Sequence, residues 1–351
     1  MTKFDELDRY EMYETEFDPI HQDRQARRKR KPRQVPPTRH TPKATATDFV
    51  DAAIGLEAGF NTTYQPSRHE SGWLIESLRE FYGQELISDV NGLVKGGKEA
   101  SVYRCKAHPQ TGMEWVAAKV YRPRMFRQLR NDKMYRQGRT VLKQSGKAVK
   151  ATDSRAMRAL GKKSTYGEQL AHTSWLMHEY TTLKRFYEMS MAVPKPLATT
   201  SNAILMAYIG DEHMAAPPLS EVTLERGEAN RLFQLVVENI ELMLQDGRIH
   251  GDLSAYNILY WQGEITFIDF PQVTNAHVSR ETHMFGSAVN PDAEFILERD
   301  ITRVCEYFQK QGVHCSPQRI MDHLWYTYVA KDPEDMLAEA SRFTQEEDIS
   351  A

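Results

Sequence analysis

Long apolar runs are missing from this chain. No uncharged stretch approaches the roughly 18 residues that cross a bilayer, so no membrane span is expected. Cysteine is scarce. Cys105, Cys305 and Cys315 are the only three in 351 residues and form no C-x-x-C pair, which argues against a disulfide framework or a zinc site and fits a reducing, cytoplasmic setting. The opening MTKFDELDRYEMYETEFD is acidic where a secretory leader would be basic and then apolar, and no internal repeat is visible. What is present is a globular composition. With 40% hydrophobic residues in 40.5 kDa, the chain can bury a sizeable core in one large or two modest domains.

A net charge of -3 conceals strong segregation. Residues 24 to 43, RQARRKRKPRQVPPTRHTPK, carry nine Lys or Arg and no acid, directly after the acidic leader. Such a stretch has too little apolar surface to offset its ordering entropy, so residues 1–68 are expected to be a disordered acidic and then basic tail. Residues 122 to 163 carry 14 Lys or Arg against Asp132 and Asp153. That stretch reads either as a solvated flexible loop or as a docking site for RNA or an acidic partner.

Ordered structure is expected from about residue 70. SGWLIESLREFYG has helical apolar spacing, with Ser71 ahead of its first turn. LISDVNGLV, ASVYRCKA and MEWVAAKVY are β-rich runs separated by GGKE and HPQTG, which predicts a small antiparallel sheet. The segment 168–189 places Leu176, Tyr180, Leu183 and Tyr187 on one helical stripe, and AILMAYIG at 203–210 reads as a buried strand. From residue 229 onward the pattern is mostly helical. The order predicts an α+β protein with a strand-rich half over 69–209, a helical half over 210–335 and a tail over 336–351, and ligands often bind between two such halves.

One stretch, RIHGDLSAYNILYWQGEITFIDF at 248–270, concentrates polar groups between apolar runs. NILYW and ITFIDF flank the turn WQGE, so a hairpin carries Asp252, Asn257 and Asp269 near its ends. Hard divalent cations such as Mg²⁺ take oxygen ligands and keep several waters, which makes Asn257 and Asp269 ligand candidates. Asp252 is left to accept a proton from an attacking hydroxyl, and His250 to order the loop. Asp and Asn also populate ordinary turns. The spacing H-x-D-x-x-x-x-N, followed by a strand ending I-D-F, is that of phosphoryl-transfer enzymes.

Such a site needs a basic partner and a loop over the phosphates. WVAAKV at 115–120 fits the V-A-x-K strand and places Lys119 on the alpha and beta phosphates of ATP. Its carboxylate partner is expected on the following helix, with Glu179 the first candidate and Glu168 the second. In KGGKEASVY, Gly96 and Gly97 permit close backbone approach to anionic oxygens, and Ser101 offers a hydroxyl. GLVKGGK is formally G-x-x-x-x-G-K, but Glu99 stands where that phosphate loop needs Ser or Thr, and the following ASVYRC reads as strand rather than helix.

Taken together, GGKEASVY, VAAKVY, LMAYIGDEHMAAPPL, HGDLSAYN, IDFPQ and NPDAEFILERDITRVCEYF resemble the RIO-type atypical serine/threonine protein kinases over roughly residues 85 to 330. The resemblance implies a two-lobed kinase-like fold with ATP between the lobes. It implies Met206, Ala207 and Ile209 against adenine, Asp252 as catalytic base, and Asn257 with Asp269 on Mg²⁺ or Mn²⁺. It also implies that Asp269 can itself receive the phosphoryl group, so that the protein turns over ATP as a switch. The segment between Lys119 and Glu179 matches the family's flexible loop, which points to a partner such as the small ribosomal subunit or its RNA. Gly251 stands where regulated kinases place an arginine, and no A-P-E segment follows, so a long peptide-docking activation loop has no room. Two alternatives remain at this level. One is a small-molecule phosphotransferase of the aminoglycoside or choline type, which shares HGDL and IDF; the other is a non-catalytic ATP-dependent module that binds RNA or ribosomes.

Overall fold

The computed structural model describes residues 62–97, 99–121, 141–150, 152–162, 164–279 and 287–330. The expected tail up to residue 61, the 122–140 part of the second basic stretch and the expected C-terminal tail lie outside the described residues.

The first helix, α1 (Arg68–Gly83), starts one turn earlier than its apolar spacing suggests. Its cap is Ser67 rather than Ser71, because Glu70 lies three residues further on and reaches back to the Ser67 N–H, closing a capping box. Leu74, Leu78 and Phe81 recur at helical spacing and are fully buried. They pack on one face of a five-stranded antiparallel sheet in the order β1-β2-β3-β5-β4, made of β1 (Ile87–Gly96), β2 (Ala100–Ala107), β3 (Trp115–Tyr121), β4 (Pro196–Thr199) and β5 (Ala203–Ala207). The edge strand β4 was not foreseen. It contains Pro196 at its start, a position that an edge tolerates because no ladder donor is needed there.

Alternation along the strands decides which side chains face the site. Tyr103, Cys105, Val116, Ala118, Val120, Ala203 and Leu205 face α1, whereas Tyr121 and Ile204 join the core of the helical half. Lys119 is paired across the ladder with Val102 and Ile204, and Ala117 with Met206, so these residues share the face away from α1.

Part of the expected flexible loop is a helix. In α2 (Ser154–Gly161) the Asp153 carboxylate accepts the Ala156 N–H at 3.1 Å, Ala156 is buried, and the Leu142 N–H donates to Ser174 Oγ at 2.9 Å. Lys143, Lys147, Lys150, Arg155, Arg158 and Lys162 stay exposed around it. The long helix α3 (Thr165–Glu188) buries Leu176 and Leu183 of the expected stripe, while Tyr180 is half-buried and Tyr187 exposed.

The helical half contains α4 (Arg226–Gln245), α5 (Ala293–Lys310) and α6 (Pro317–Leu324), which runs on into a π-turn over Trp325–Val329. Between α4 and α5 lie three short strand pairs. β6 (Arg248–Ile249) pairs with β9 (Thr274–Asn275), β7 (Ile258–Trp261) with β8 (Glu264–Phe267), and β10 (His277–Ser279) with β11 (Ser287–Val289). The β7–β8 turn has positive φ at both Gln262 (50°) and Gly263 (85°), a pairing that matches the twist of a tight hairpin. No helix among the described residues is long and apolar enough to cross a membrane.

The sheet depends on α1 to cover one face. Leu78→Ala is expected to lower the unfolding free energy by about 2–5 kcal/mol, read by urea denaturation; a loss much below that range would mean that the helix is not part of the cooperative core.

Candidate active site

Three chain segments meet at Lys119. Its ammonium Nζ lies 2.5 Å from Glu179 Oε1, on α3, and 2.5 Å from Asp269 Oδ1, just beyond β8. The opposite oxygen of Glu179 accepts the Tyr121 hydroxyl. Glu179 is thus the helix carboxylate that meets the strand lysine, while the side chain of the second candidate, Glu168, lies outside the described residues. Burial lowers the Lys119 pKa, yet the Asp269 and Glu179 charges outweigh it and hold the ammonium above its ordinary range. Burial also pushes the Glu179 carboxyl up, by more than Lys119 pulls it down. At Asp269 burial again acts upward, but Lys119 prevails and the carboxyl sits below its ordinary range. The Glu179 side chain is 4% exposed and that of Asp269 41%, so the triad opens on its Asp269 side.

The hairpin brings Asn257 beside Asp269. β7 and β8 pair from Ile258 with Phe267, and the next rung is the Ile268 N–H donating to the Asn257 carbonyl at 3.0 Å. Asn257 is buried, and its amide nitrogen donates to the Asp252 carbonyl at 2.8 Å and to Asp252 Oδ2 at 3.3 Å. Asp252, Asn257 and Asp269 therefore lie along one connected set of contacts. With its nitrogen so engaged, the Asn257 side chain has its oxygen left as a ligand atom. Asp269 itself has φ +71°, a left-handed backbone uncommon outside glycine and enriched at functional sites. Among the described residues no group of three His, Cys, Asp or Glu could hold a metal alone. The oxygen pair Asn257 and Asp269 fits a Mg²⁺ ion that completes its shell with water and substrate phosphates.

The catalytic-loop candidates are pinned from below. His250 is buried; its Nδ1 accepts the Asp252 N–H at 3.3 Å, which leaves Nε2 to donate to the Ile268 carbonyl at 3.3 Å and so couples the loop to the segment before Asp269. Gly251 has φ +83°, and a Cβ there would stand 2.2 Å from the Gln272 carbonyl oxygen. Glycine is required at this position by geometry, beyond its lack of a regulatory arginine. Asp300 of α5 accepts the Gly251 N–H at 2.8 Å, and Arg299 donates to the Gly251 carbonyl. One turn on, Arg303 Nη1 donates to Asp252 Oδ1 at 2.9 Å. Burial pushes the Asp252 carboxyl above its ordinary range, with Arg303 acting against it.

Not every expected residue is brought to the site. Ser101 is not. It is 3% exposed and lies on the strand face of Tyr103 and Cys105, opposite Lys119, because side chains alternate and Val102 is the residue paired with Lys119. Gly97 donates its N–H to the Ala100 carbonyl at 2.9 Å, in a turn where a Cβ would stand 2.8 Å from the same oxygen; it shapes the loop ahead of β2. Met206 shares the Lys119 face. The Ala207 N–H is engaged by the Lys195 carbonyl at 2.8 Å and the Ile209 carbonyl by the Ala216 N–H at 3.0 Å, so these two shape the connection between the halves. Tyr121, Arg299, Asp300 and Arg303 were not foreseen. One signal was available: Asp300 falls within the apolar stripe Ile296, Leu297, Ile301 and Val304, where a charge needs a dedicated partner.

Comparisons with known proteins bear on the family. A sequence model of the RIO domain matches residues 102–320. The chain is 27% identical over 232 residues to the RIO-type serine/threonine-protein kinase Rio1 of Haloferax volcanii, covering 64% of this chain and 65% of that one. It is 30% identical over 150 residues to the Rio1 kinase of Thermoplasma acidophilum, covering 43% of this chain and 72% of that one. It is 28% identical over 231 residues to the serine/threonine-protein kinase RIO1 of Homo sapiens, covering 65% of this chain and 34% of the human one.

Removing Lys119 leaves a buried carboxylate unpaired. Lys119→Met is expected to cost about 3–5 kcal/mol at pH 7.5. Without its cation the Glu179 carboxyl moves further up, so the folded state takes up a proton that the unfolded state does not. The sign follows: stability of the variant should rise as pH falls from 7.5 to 5.5. Urea unfolding at the two pH values checks this, and Lys119→Met/Glu179→Gln should lose that pH dependence.

Proposed function

The chain belongs to the RIO domain family, and from that premise we propose that it is an ATP-dependent phosphotransferase. It transfers the terminal phosphoryl group of ATP to serine or threonine hydroxyls, its own included, or transiently to Asp269 with net ATP turnover. The observation that carries this reading is the Lys119 ammonium within 2.5 Å of both Glu179 and Asp269, joining the sheet to the hairpin across the cleft.

In this reading Lys119, aimed by Glu179 and Tyr121, holds the alpha and beta phosphates. Gly97 shapes the cover above them, and Met206, Ala207 and Ile209 border the adenine end. Asn257 and Asp269 would hold Mg²⁺ or Mn²⁺, which supplies charge neutralisation at the phosphates. Asp252 orients an attacking hydroxyl and takes its proton, a contribution of roughly 10²- to 10⁴-fold. With Asp269 as acceptor no proton has to leave, since its carboxylate is ionised: one carboxylate oxygen bonds to phosphorus as the bond to the ADP oxygen breaks, and water later releases phosphate. The relatives are named serine/threonine-protein kinases, which favours a hydroxyl as final acceptor. The boundary between the two functional halves falls near residue 209. In the described part of the 122–163 stretch, the exposed Lys143, Lys147, Lys150, Arg155, Arg158 and Lys162 offer an electrostatic contact for RNA, the small ribosomal subunit or another acidic partner.

The chemistry of the phosphoenzyme made from labelled ATP and Mg²⁺ tests the proposal. A hydroxylamine-labile label that disappears in Asp269→Asn identifies an acyl phosphate, and an alkali-labile, hydroxylamine-resistant one identifies phosphoserine. Absence of both label and phosphate release would overturn the reading. Phosphorylation of an aminoglycoside or choline without self-labelling would move the protein to the small-molecule class. Asp252→Asn should cut hydroxyl phosphorylation by roughly 10²- to 10⁴-fold in a peptide assay.

A further inference from the structure

Helix α5 sends three charged side chains up to the catalytic loop, and they do different work. Asp300 and Arg299 grip the two ends of the Gly251 peptide, which is backbone support. Arg303 instead reaches a side-chain oxygen, Asp252 Oδ1, at 2.9 Å. Both partners are largely withdrawn from solvent but keep an opening, with side chains 16% and 18% exposed.

From this arrangement we infer that Arg303 is a positioning residue for Asp252, fixing the orientation in which its carboxylate meets the acceptor hydroxyl. The inference deepens the proposed function and rests on its reading of Asp252 as the group that receives the hydroxyl. A carboxylate on a single Cβ rotates freely unless something holds it. Here Oδ1 is held by a charged donor, while the amide of Asn257 approaches Oδ2 only at 3.3 Å. A guanidinium at 2.9 Å makes the stronger, charge-assisted contact and sets the carboxylate plane. The guanidinium thereby fixes the direction in which the carboxylate faces an acceptor hydroxyl. The guanidinium is itself aimed by the helix: its residue stands one turn beyond Arg299 and Asp300, which bind the peptide immediately before Asp252. Loop and side chain are therefore aligned by one rigid element. Misplacing a catalytic group by about an ångström costs on the order of 10²-fold, so a residue that never touches substrate can carry a large effect.

The test is a double-mutant cycle on peptide phosphorylation by the full chain. Arg303→Ala should lower kcat by roughly 10- to 100-fold with KM for ATP unchanged, and Arg303→Lys, which keeps the charge but loses the planar fork, should fall between it and wild type. In the Asp252→Asn background, Arg303→Ala should change the residual rate no further. An equal loss in both backgrounds, a rise in KM for ATP in place of the kcat loss, or no change at all would overturn the inference. If Arg303→Ala does not fold, Arg303→Lys and Arg303→Gln carry the same comparison. Wild-type protein that transfers no phosphoryl group to a hydroxyl overturns the proposed function, and with it the role given to Arg303.

Discussion

A single ammonium ties the two halves of this protein together. Lys119 belongs to a strand of the sheet, Glu179 to the helix that crosses from sheet side to helical core, and Asp269 to the hairpin of the helical half. Carboxylates at such positions repel one another and resist burial; the cation between them opposes both effects and prevails at Asp269, though not at Glu179. Tyr121 adds to the constraint from the same strand: its ring packs edge-on to Trp175 at 4.9 Å between centroids, and its hydroxyl holds the far oxygen of Glu179. A side chain two residues from the lysine thus aims the lysine's own partner.

The lower wall of the cleft is rigid for a different reason. Gly251 is in a left-handed conformation that its contact with Gln272 leaves open to no other residue without strain, and both ends of its peptide are claimed by α5. Asp269 is a non-glycine residue in the left-handed region, a conformation that costs on the order of 1–3 kcal/mol and persists only where surroundings over-determine it. Those surroundings are visible: Lys119 on the side chain, and the Asn257 and His250 hydrogen bonds on the preceding residue. Strain and support sit within a few residues of each other, which is how a site keeps a side chain aimed before any ligand arrives.

How far the sequence revealed this depended on what each residue's neighbours encode. The strand carrying Lys119, the hairpin and the helix carrying Glu179 follow from periodicity and spacing, which are local. Ser101 shows the limit of spacing in a strand, since a shift of one residue turns a side chain to the opposite face and only the register with β3 settles which face that is. The cap of α1 lay in the Ser67 and Glu70 pair rather than in the first apolar turn. Tyr187 belongs to the apolar spacing of α3 but falls beyond the core it would join, and is exposed. Arg303 had no local signal, because a lone arginine on a helix acquires meaning only from what lies opposite it in space.

Ion pairing and exposure distinguish the three carboxylates. Glu179 is held by Lys119 and Tyr121 and is sealed from solvent. Asp252 is matched by Arg303. Asp269 shares Lys119 with Glu179, and of the two it is the one open to solvent, with a side chain 41% exposed. A site for a magnesium-bound polyphosphate needs its open negative charge where the metal is to sit and its fixed positive charges where the phosphates are to lie. In the proposed function Asp269 and Asn257 would meet the first requirement, and Lys119, paired with Asp269, the second. In the same proposal Asp252, whose Oδ1 is paired with Arg303, would offer an incoming hydroxyl direction rather than a metal a ligand.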